Sequence, residues 1–210
     1  FGDLPASLPV FPLRNAVVLP GGYLPLNIFE PRYLNMVRDA MRSHQLIGMI
    51  QPKPDQSALD SEPELYRVGC AGRIFRYQET QDGRLEIALI GLCRFSVAEE
   101  MASTRAYRII APSWDNYKSD FEKPEQIGTE LESQFKASLQ SYMRDNKLET
   151  QWSSLQKLHI GDLCNSILSF LPLEAEDKQM LVESDNLTNR LKIFSAILEN
   201  GSQREHQPAH

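Results

Sequence analysis

Residues 66–97 read YRVGCAGRIFRYQETQDGRLEIALIGLCRFSV and contain two long β patterns, Tyr66–Tyr77 and Leu85–Val97. Asp82-Gly83 lies between them, and this dipeptide favours a tight hairpin turn between two strands. Three glycines interrupt the apolar runs: Gly69, Gly72 and Gly91. Because glycine inside a strand marks a bulge or a sharp bend, the stretch predicts one long, bent hairpin.

Shorter β patterns precede this hairpin. Leu8–Leu13 contains two prolines, which cannot donate to a central ladder, so it predicts an edge or bulged strand. Val17–Leu19 is expected to resume that strand after a polar turn at Arg14-Asn15. Two more strands are predicted at Tyr23–Phe29 and Leu46–Ile50.

One helix is predicted among these strands. Pro31 suits the first helical position, where its missing N–H costs nothing. Leu34, Val37 and Met41 then form an apolar stripe at helical spacing, together with Tyr33, Ala40 and Met36. With a last strand at Tyr107–Pro112, the first part has six or seven short strands and one helix, which favours a small, partly closed β-barrel.

Composition and charge change near residue 118. Ten of the 13 prolines precede it, and residues 1–118 carry 13 basic and 13 acidic side chains, whereas residues 119–210 carry 9 and 15. Helical patterns follow a polar linker at Ser113–Pro124, with Asn200-Gly201 as the expected end of the last helix. The helical segments are Glu125–Asn146, Leu155–Leu171, Glu174–Glu183 and Leu187–Glu199. We therefore predict an α+β chain with a barrel at 1–118, a helical subdomain at 119–201 and a disordered tail at 202–210.

The overall composition excludes several classes of protein. Hydrophobic residues make up 41% of the 210 positions, which is enough to bury a core and unlike a disordered chain. A net charge of -6 argues against a protein that mainly grips phosphate backbones. No apolar run approaches the roughly 20 residues of a membrane span, and no signal peptide is visible, so we expect a cytoplasmic protein.

Several segments together resemble a known family. Residues 8–21, LPVFPLRNAVVLPG, are similar to the opening of the N-terminal domain of Lon proteases, and residues 28–37 look like the version in stand-alone bacterial relatives. Weaker similarities run through residues 68–74, 91–95 and 171–179. The resemblance implies a PUA-like barrel followed by a helical bundle, and a domain that recognises substrate polypeptides.

The sequence departs from a complete Lon protease in its catalytic motifs. It contains no Gly-x-x-x-x-Gly-Lys-Ser/Thr phosphate loop and no Gly-Pro-Ser-Ala-Gly segment around a nucleophile. We therefore expect neither ATP hydrolysis nor peptide cleavage, and predict that the chain is not an enzyme.

Other candidate reactive groups are weak. The cysteines at positions 70, 93 and 164 lie in apolar contexts and are expected to be buried thiols. The four histidines, His44, His159, His206 and His210, have no metal-ligand spacing. Glu99 and Glu100 are adjacent and so face opposite sides of a strand. We predict no catalytic residue, no metal site and no cofactor.

The charged residues at the junction between strand and helix are the most informative candidates. Glu30 and Arg32 flank Pro31, and Arg94 interrupts an apolar strand, where a charge needs a partner if it is buried. Glu30 is the expected partner of Arg94, as part of a structural or ligand-facing polar cluster. The candidate cluster comprises Arg14, Asn15, Glu30, Arg32, Tyr33, Arg73 and Arg94.

Two functional hypotheses remain open. The leading one is a non-catalytic module that binds unfolded or extended polypeptide, or a protein partner, through the edge at Leu8–Leu13 or an apolar groove between helices. A weak homo-oligomer would fit this role. The alternative is a PUA-like module for a small ligand or RNA, with a basic stripe and stacking tyrosines. That stripe would consist of Arg14, Arg73, Arg76 and Arg105, with Tyr77 and Tyr107.

Overall fold

A computed structural model describes residues 4–54, 63–123, 125–148, 155 and 157–204. Its strands are β1 Leu8–Pro12, β2 Tyr23–Ile28, β3 Leu46–Ile50, β4 Val68–Glu79, β5 Leu85–Met101 and β6 Ile109–Ser113. Its α-helices are α1 Pro31–Met41, α2 Thr129–Asp145, α3 Ile160–Ile167, α4 Ala175–Glu183 and α5 Leu187–Arg204. The predicted α+β class is confirmed. Among the described residues, no helix is both long and apolar enough to cross a bilayer.

The six strands form one sheet that closes on itself. The strand order is β2-β5-β4-β3-β1-β6, and β6 also pairs with β5. Strand β5 is 17 residues long, so its first half pairs with β2 and its second half pairs with β6. This double use of one long strand closes the ring β5-β4-β3-β1-β6 into the expected barrel.

The hairpin of β4 and β5 is bent at its glycines, as the sequence predicts. Pairing shifts between Ala71 and Gly72, where Leu92 on the opposite strand is passed over, and again around Phe75. Such bulges increase the local twist and allow a sheet to curve. The tight turn is confirmed by Gly83, whose φ is 82°.

Strand β1 is not an edge strand, contrary to the expectation for Leu8–Leu13. It pairs in parallel with β3 and antiparallel with β6. The prolines are tolerated because each is paired in one ladder only, Pro9 with β6 and Pro12 with β3. Pairing with β3 begins at Val10, one residue after Pro9, and pairing with β6 ends at Pro9, well before Pro12. The proposed strand addition at this segment is therefore wrong.

Val17–Leu19 is buried but is not a strand, contrary to expectation. Two carbonyl groups in and next to this segment accept hydrogen bonds from side chains. Ser169 Oγ donates to the Val17 carbonyl, and Asn165 Nδ2 donates to the Pro20 carbonyl, both at 3.0 Å.

The chain forms two compact units, and neither is continuous in sequence. One unit, here called the barrel unit, comprises Phe1–Glu122 and Asn165–Val182. The other, the helical unit, comprises Lys123–Cys164 and Glu183–His210. The division into subdomains at residue 118 stays a prediction.

Helix α1 presents four residues to the barrel core: Tyr33, Met36, Val37 and Ala40. All four belong to the predicted apolar stripe, whose other two members, Leu34 and Met41, are only half-buried. In the helical unit, Phe135 of α2 and Phe194 of α5 pack with their ring centroids 5.3 Å apart.

The prediction that the last helix ends at Asn200-Gly201 is wrong, because α5 continues to Arg204. A side chain at position 201 would lie 2.7 Å from the Tyr142 ring, so glycine serves close helix packing here. Residues 202–204 are thus helical, whereas the rest of the predicted tail and most of the polar loop at 55–63 lie outside the described residues. The segment Ser113–Pro124 was predicted as a polar linker, but it contains a 3₁₀ helix at Asp115–Phe121.

Candidate functional site

The predicted polar cluster is not one site, and its buried member is structural. The Arg94 side chain is 3% exposed and forms an ion pair with Asp120, which is 7% exposed. Asp120 lies on the 3₁₀ helix and accepts from Arg94 Nε, from Nη2 at 2.8 Å and from the Arg94 backbone N–H at 2.9 Å. The expected pairing with Glu30 is wrong, since Glu30 is bonded to Arg32 on the surface.

Arg94 is satisfied on its other sides as well. Its Nη1 donates to the Val182 carbonyl at 3.2 Å, and its guanidinium carbon lies 4.7 Å from the centroid of the Tyr117 ring. Burial tends to lower the pKa of Arg94, but the hydrogen bonds and charge of Asp120 raise it overall. These contacts fix the 3₁₀ helix against β5 and leave Arg94 inaccessible to a ligand.

Arg14 and Asn15 form a turn that is held from both sides. Asn15 has a φ of 65°, its N–H donates to Gln51 Oε1 at 2.9 Å, and its carbonyl accepts from Lys178 Nζ at 2.9 Å. Arg14 is exposed and pairs with Glu176 at 3.2 Å. The turn is thus part of the packing of α4 on the barrel, and a role of Arg14 and Asn15 in ligand binding stays a prediction.

Lys178 should make stability depend on alkaline pH. It is 4% exposed, and burial lowers its pKa from the ordinary 10.5. Between the folded and unfolded pKa values the unfolded chain binds more protons, so the free energy of unfolding rises with pH there. Urea titrations from pH 7 to 10 should show this rise relative to Lys178→Met. Parallel curves for the two proteins would contradict it, and Lys192→Met, at an exposed lysine, serves as the control.

Four side chains gather on the outer face of the barrel unit, and we call them the aromatic surface: Tyr23, Phe75, Ile90 and Phe170. The ring centroids of Tyr23 and Phe75 are 5.6 Å apart, and those of Tyr23 and Phe170 are 6.4 Å apart with nearly parallel planes. Phe75 is 53% exposed and Phe170 is 56% exposed. Ile90 is opposite Tyr23 in the sheet register and is also exposed.

The fold itself creates the aromatic surface. Phe75 lies in the second bulge of β4, where it has no partner opposite it on β5. Phe170 comes from the segment after α3, far away in the sequence. Arg73 is exposed on the same strand and is paired with Ile90 in the register. Among the predicted site residues, Arg73 is therefore the one beside this surface.

A cleft of about 570 Å³ lies elsewhere on the barrel unit. It runs between the start of α1, which supplies Arg32 and Tyr33, and the connection from β5 to β6. Its lining has three arginines, one carboxylate, two tyrosines and three prolines: Arg32, Arg105, Arg108, Glu100, Tyr33, Tyr107, Pro12, Pro52 and Pro63. The structure thus brings Arg32 and Tyr33 of the predicted cluster to one cleft, and leaves Arg14, Arg73 and Arg94 out of it.

The predicted stripe for RNA is interrupted. Arg14 and Arg105 are both in ion pairs, with Glu176 and Asp39 respectively. Tyr107 is 7% exposed and donates its hydroxyl to Asp39 at 2.8 Å, so its expected role in stacking on bases is wrong. Burial, followed by the hydrogen bond to Asp39, raises the pKa of Tyr107.

The cysteines are buried thiols, as expected. All three are free, and burial raises the pKa of Cys93 and of Cys164 to about 12. A protonated thiol is a poor nucleophile at neutral pH. Within the part of the chain that the structure describes, no group of three His, Cys, Asp or Glu residues could hold a metal ion.

Sequence reasoning missed the aromatic surface because alternation of apolar residues predicts burial for an aromatic on a strand. The bulge at Phe75 turns this side chain outward, and no local signal brings Phe170 beside it. The run Phe75-Arg76-Tyr77, in which aromatic and basic residues mix, was the one available sign of an exposed face.

Comparison with protein families gives one match that covers most of the chain. Residues 7–200 match the model described as the ATP-dependent protease La (LON) substrate-binding domain. The chain is 27% identical over 198 residues to Lon protease 2 of Myxococcus xanthus and 26% identical over 197 residues to Lon protease of Anaeromyxobacter dehalogenans. Each alignment covers 93% of this chain but only 24% and 23% of those proteins. The chain thus spans about a quarter of their length.

Solved structures show the same fold. A Lon N-terminal domain protein from Xanthomonas campestris aligns with a TM-score of 0.63 and 24% identity, covering 91% of this chain and 98% of that chain. The N-terminal domain of the Mycobacterium avium complex Lon protease aligns with a TM-score of 0.66 and 17% identity, covering 96% and 100%. These two likenesses support the barrel followed by helices.

Proposed function

Because the chain belongs to the family of ATP-dependent protease La (LON) substrate-binding domains, we propose that it binds unfolded or extended polypeptide through the aromatic surface. The observation that carries this proposal is the exposure of Phe75 and Phe170 beside Tyr23. An unfolded chain presents apolar side chains that a folded protein hides, and clustered exposed aromatics offer them contact area. Aromatic residues are also the side chains that most often dominate the energy of protein interfaces.

The proposed role is binding without catalysis. The matched family is a substrate-binding domain, and the printed sequence contains neither the phosphate loop nor the nucleophile segment of a Lon protease. A cytoplasmic location belongs to the same proposal. A single small surface buries little area and ordering an extended chain costs entropy, so we expect weak affinity, on the order of micromolar.

The double variant Phe75→Ser, Phe170→Ser tests the surface. Truncating a central interface residue costs more than about 1 kcal/mol, so the pair should weaken binding at least about tenfold. The measurement is fluorescence anisotropy with reduced, carbamidomethylated α-lactalbumin. This probe stays unfolded because its cysteines are blocked, and the blocking group carries no charge. Because both side chains are more than half exposed, the melting temperature should change little.

Phe29→Ser provides a matched control. Phe29 is 64% exposed, but it follows the end of β2 that is remote from Tyr23. This variant should bind like the unmodified chain. Equal binding by the double variant and by the Phe29 variant would remove the aromatic surface from the proposal, and the absence of any polypeptide binding would remove the function itself.

The alternative of RNA binding has less support. The residues of the predicted stripe are partly ion-paired, and the net charge of the chain is -6. Single-stranded RNA at about 150 mM salt should therefore bind more weakly than the unfolded protein. Tight, salt-sensitive RNA binding with no polypeptide signal would favour the alternative.

A further inference from the structure

The cleft beside the start of α1 is chemically distinct from the aromatic surface. Its lining contains three arginines, and each is ion-paired with a carboxylate: Arg32 with Glu30, Arg105 with Asp39 and Arg108 with Glu100. We propose that this cleft binds a carboxylate-bearing segment of an extended polypeptide, with Arg32 as the main donor. The inference rests on the proposed function only in taking the ligand to be a polypeptide.

Arg32 is placed to receive a carboxylate. Its Nε and Nη2 both reach the same oxygen of Glu30, Oε2, at 3.0 Å. Its guanidinium carbon lies 4.6 Å from the centroid of the Tyr33 ring, which holds the planar group by cation–π attraction. The Nη1 group has no partner among the described residues, and the side chain is 49% exposed. A fixed guanidinium with an open N–H edge suits charge-assisted hydrogen bonding to a carboxylate.

The other two arginines in the lining are also held in place by acids. Arg108 pairs with Glu100, and Arg105 pairs with Asp39, which also accepts the hydroxyl of Tyr107. The hydrogen bond from Tyr107 is the largest cause that lowers the pKa of Asp39, so Asp39 stays ionised and keeps Arg105 oriented. Charged groups that are already oriented lose less entropy when a ligand binds.

The remaining walls suit a polypeptide better than a nucleic acid. Prolines at positions 12, 52 and 63 and Met101 provide apolar contacts for the stem of a Glu side chain and for flanking residues. A single carboxylate can be bound by one donor group in the cleft. A strand of phosphates carries charges along its whole length, and these charges also come near the acidic surface of the protein. The net charge of -6 repels both ligands, but it repels a phosphate backbone, which carries one charge on every nucleotide, more than a peptide with a few carboxylates.

The test compares two labelled ten-residue peptides with equal aromatic content. One contains four Asp or Glu residues, and in the other each acid is replaced by its amide. At about 150 mM salt the acidic peptide should bind at least about tenfold more tightly, since a hydrogen bond to a charged group is worth about 1.5 kcal/mol or more. Arg32→Gln should abolish this difference and leave the amide peptide unaffected.

Arg38→Gln is the matched control. Arg38 is a half-buried arginine on the same helix, paired with Glu79 at 3.3 Å and outside the cleft. It should keep the full preference for the acidic peptide. Equal binding of the two peptides by the unmodified chain, or a preference that survives Arg32→Gln, would overturn the inference. Stronger binding of single-stranded RNA that Arg32→Gln removes would overturn it in favour of a phosphate site.

The two proposals fail separately. Loss of α-lactalbumin binding in the Phe75→Ser, Phe170→Ser variant tests the aromatic surface, and the difference between acidic and amide peptides tests the cleft. If unfolded α-lactalbumin does not bind but the acidic peptide does, in a way that depends on Arg32, the proposed function fails and the cleft stands. If the reverse holds, the cleft proposal fails.

Discussion

Arg94→Ala is expected to lower the free energy of unfolding by about 3–5 kcal/mol, the usual cost of removing one partner of a buried ion pair. The substitution leaves the Asp120 carboxylate buried and stripped of two side-chain donors. It also removes the hydrogen bond to the Val182 carbonyl and the contact with the Tyr117 ring. Urea denaturation followed by circular dichroism measures the loss directly.

Two further variants compare the stability contributed by this buried pair with that of the exposed charge Glu30. Glu30→Gln should leave stability within about 0.5 kcal/mol of the unmodified chain, because Glu30 forms only an exposed pair with Arg32. The double variant Arg94→Met, Asp120→Leu should be clearly more stable than Arg94→Ala, since it leaves no unpaired buried charge. A small effect of Arg94→Ala would show that Asp120 reaches water when it loses its partner.

Gly91→Ala is expected to cost about 3 kcal/mol or more, at the upper end for overpacked sites. A Cβ atom on Gly91 would lie 2.0 Å from the Leu19 carbonyl oxygen and 2.6 Å from its carbonyl carbon. Both are backbone atoms, so no side chain can rotate away to relieve the clash. The segment would have to move off β5, which would break the bonds from the Gly91 N–H to the Gly22 carbonyl and from the Gly21 N–H to the Gly91 carbonyl, each 2.9 Å long.

Gly83→Ala is the appropriate comparison in the same unit. Position 83 has open space around it, and its φ of 82° is the one source of strain for alanine. The cost there should be about 1–2 kcal/mol from the left-handed backbone alone. A loss at Gly91 no greater than that at Gly83 would mean that the Leu19 segment adjusts easily. Thermal and urea denaturation of both variants decide between these outcomes.

Local chemistry explains which parts of the fold were predictable. The turn at Asp82-Gly83 and the bulges near Gly72 follow from backbone preferences that act within a few residues. The edge assignment of Leu8–Leu13 was wrong because the positions of Pro9 and Pro12 matter only relative to the ends of two ladders. No sequence pattern states where a ladder ends.

The candidate sites divide in the same way. Placing Arg32 beside Tyr33 follows from their adjacency at the start of α1, so the sequence found one side of the cleft. Its opposite side comes from the connection before β6, and the barrel brings the two together. The aromatic surface combines Phe75 and Phe170 from distant segments, and only the fold brings both of them beside Tyr23.

The α+β class, the bent hairpin, the helix that begins at Pro31 and the family could all be predicted from the sequence. Each depends on short-range backbone preferences or on a run of neighbouring residues. That Asp120 rather than Glu30 neutralises Arg94 depends on the folded structure. The two residues of that pair are 26 positions apart, and Asp120 lies on a short 3₁₀ helix whose sequence resembles a polar linker. A charged residue within an apolar strand predicts that a partner exists. Which of the distant carboxylates is that partner depends on which one the folded chain brings within reach.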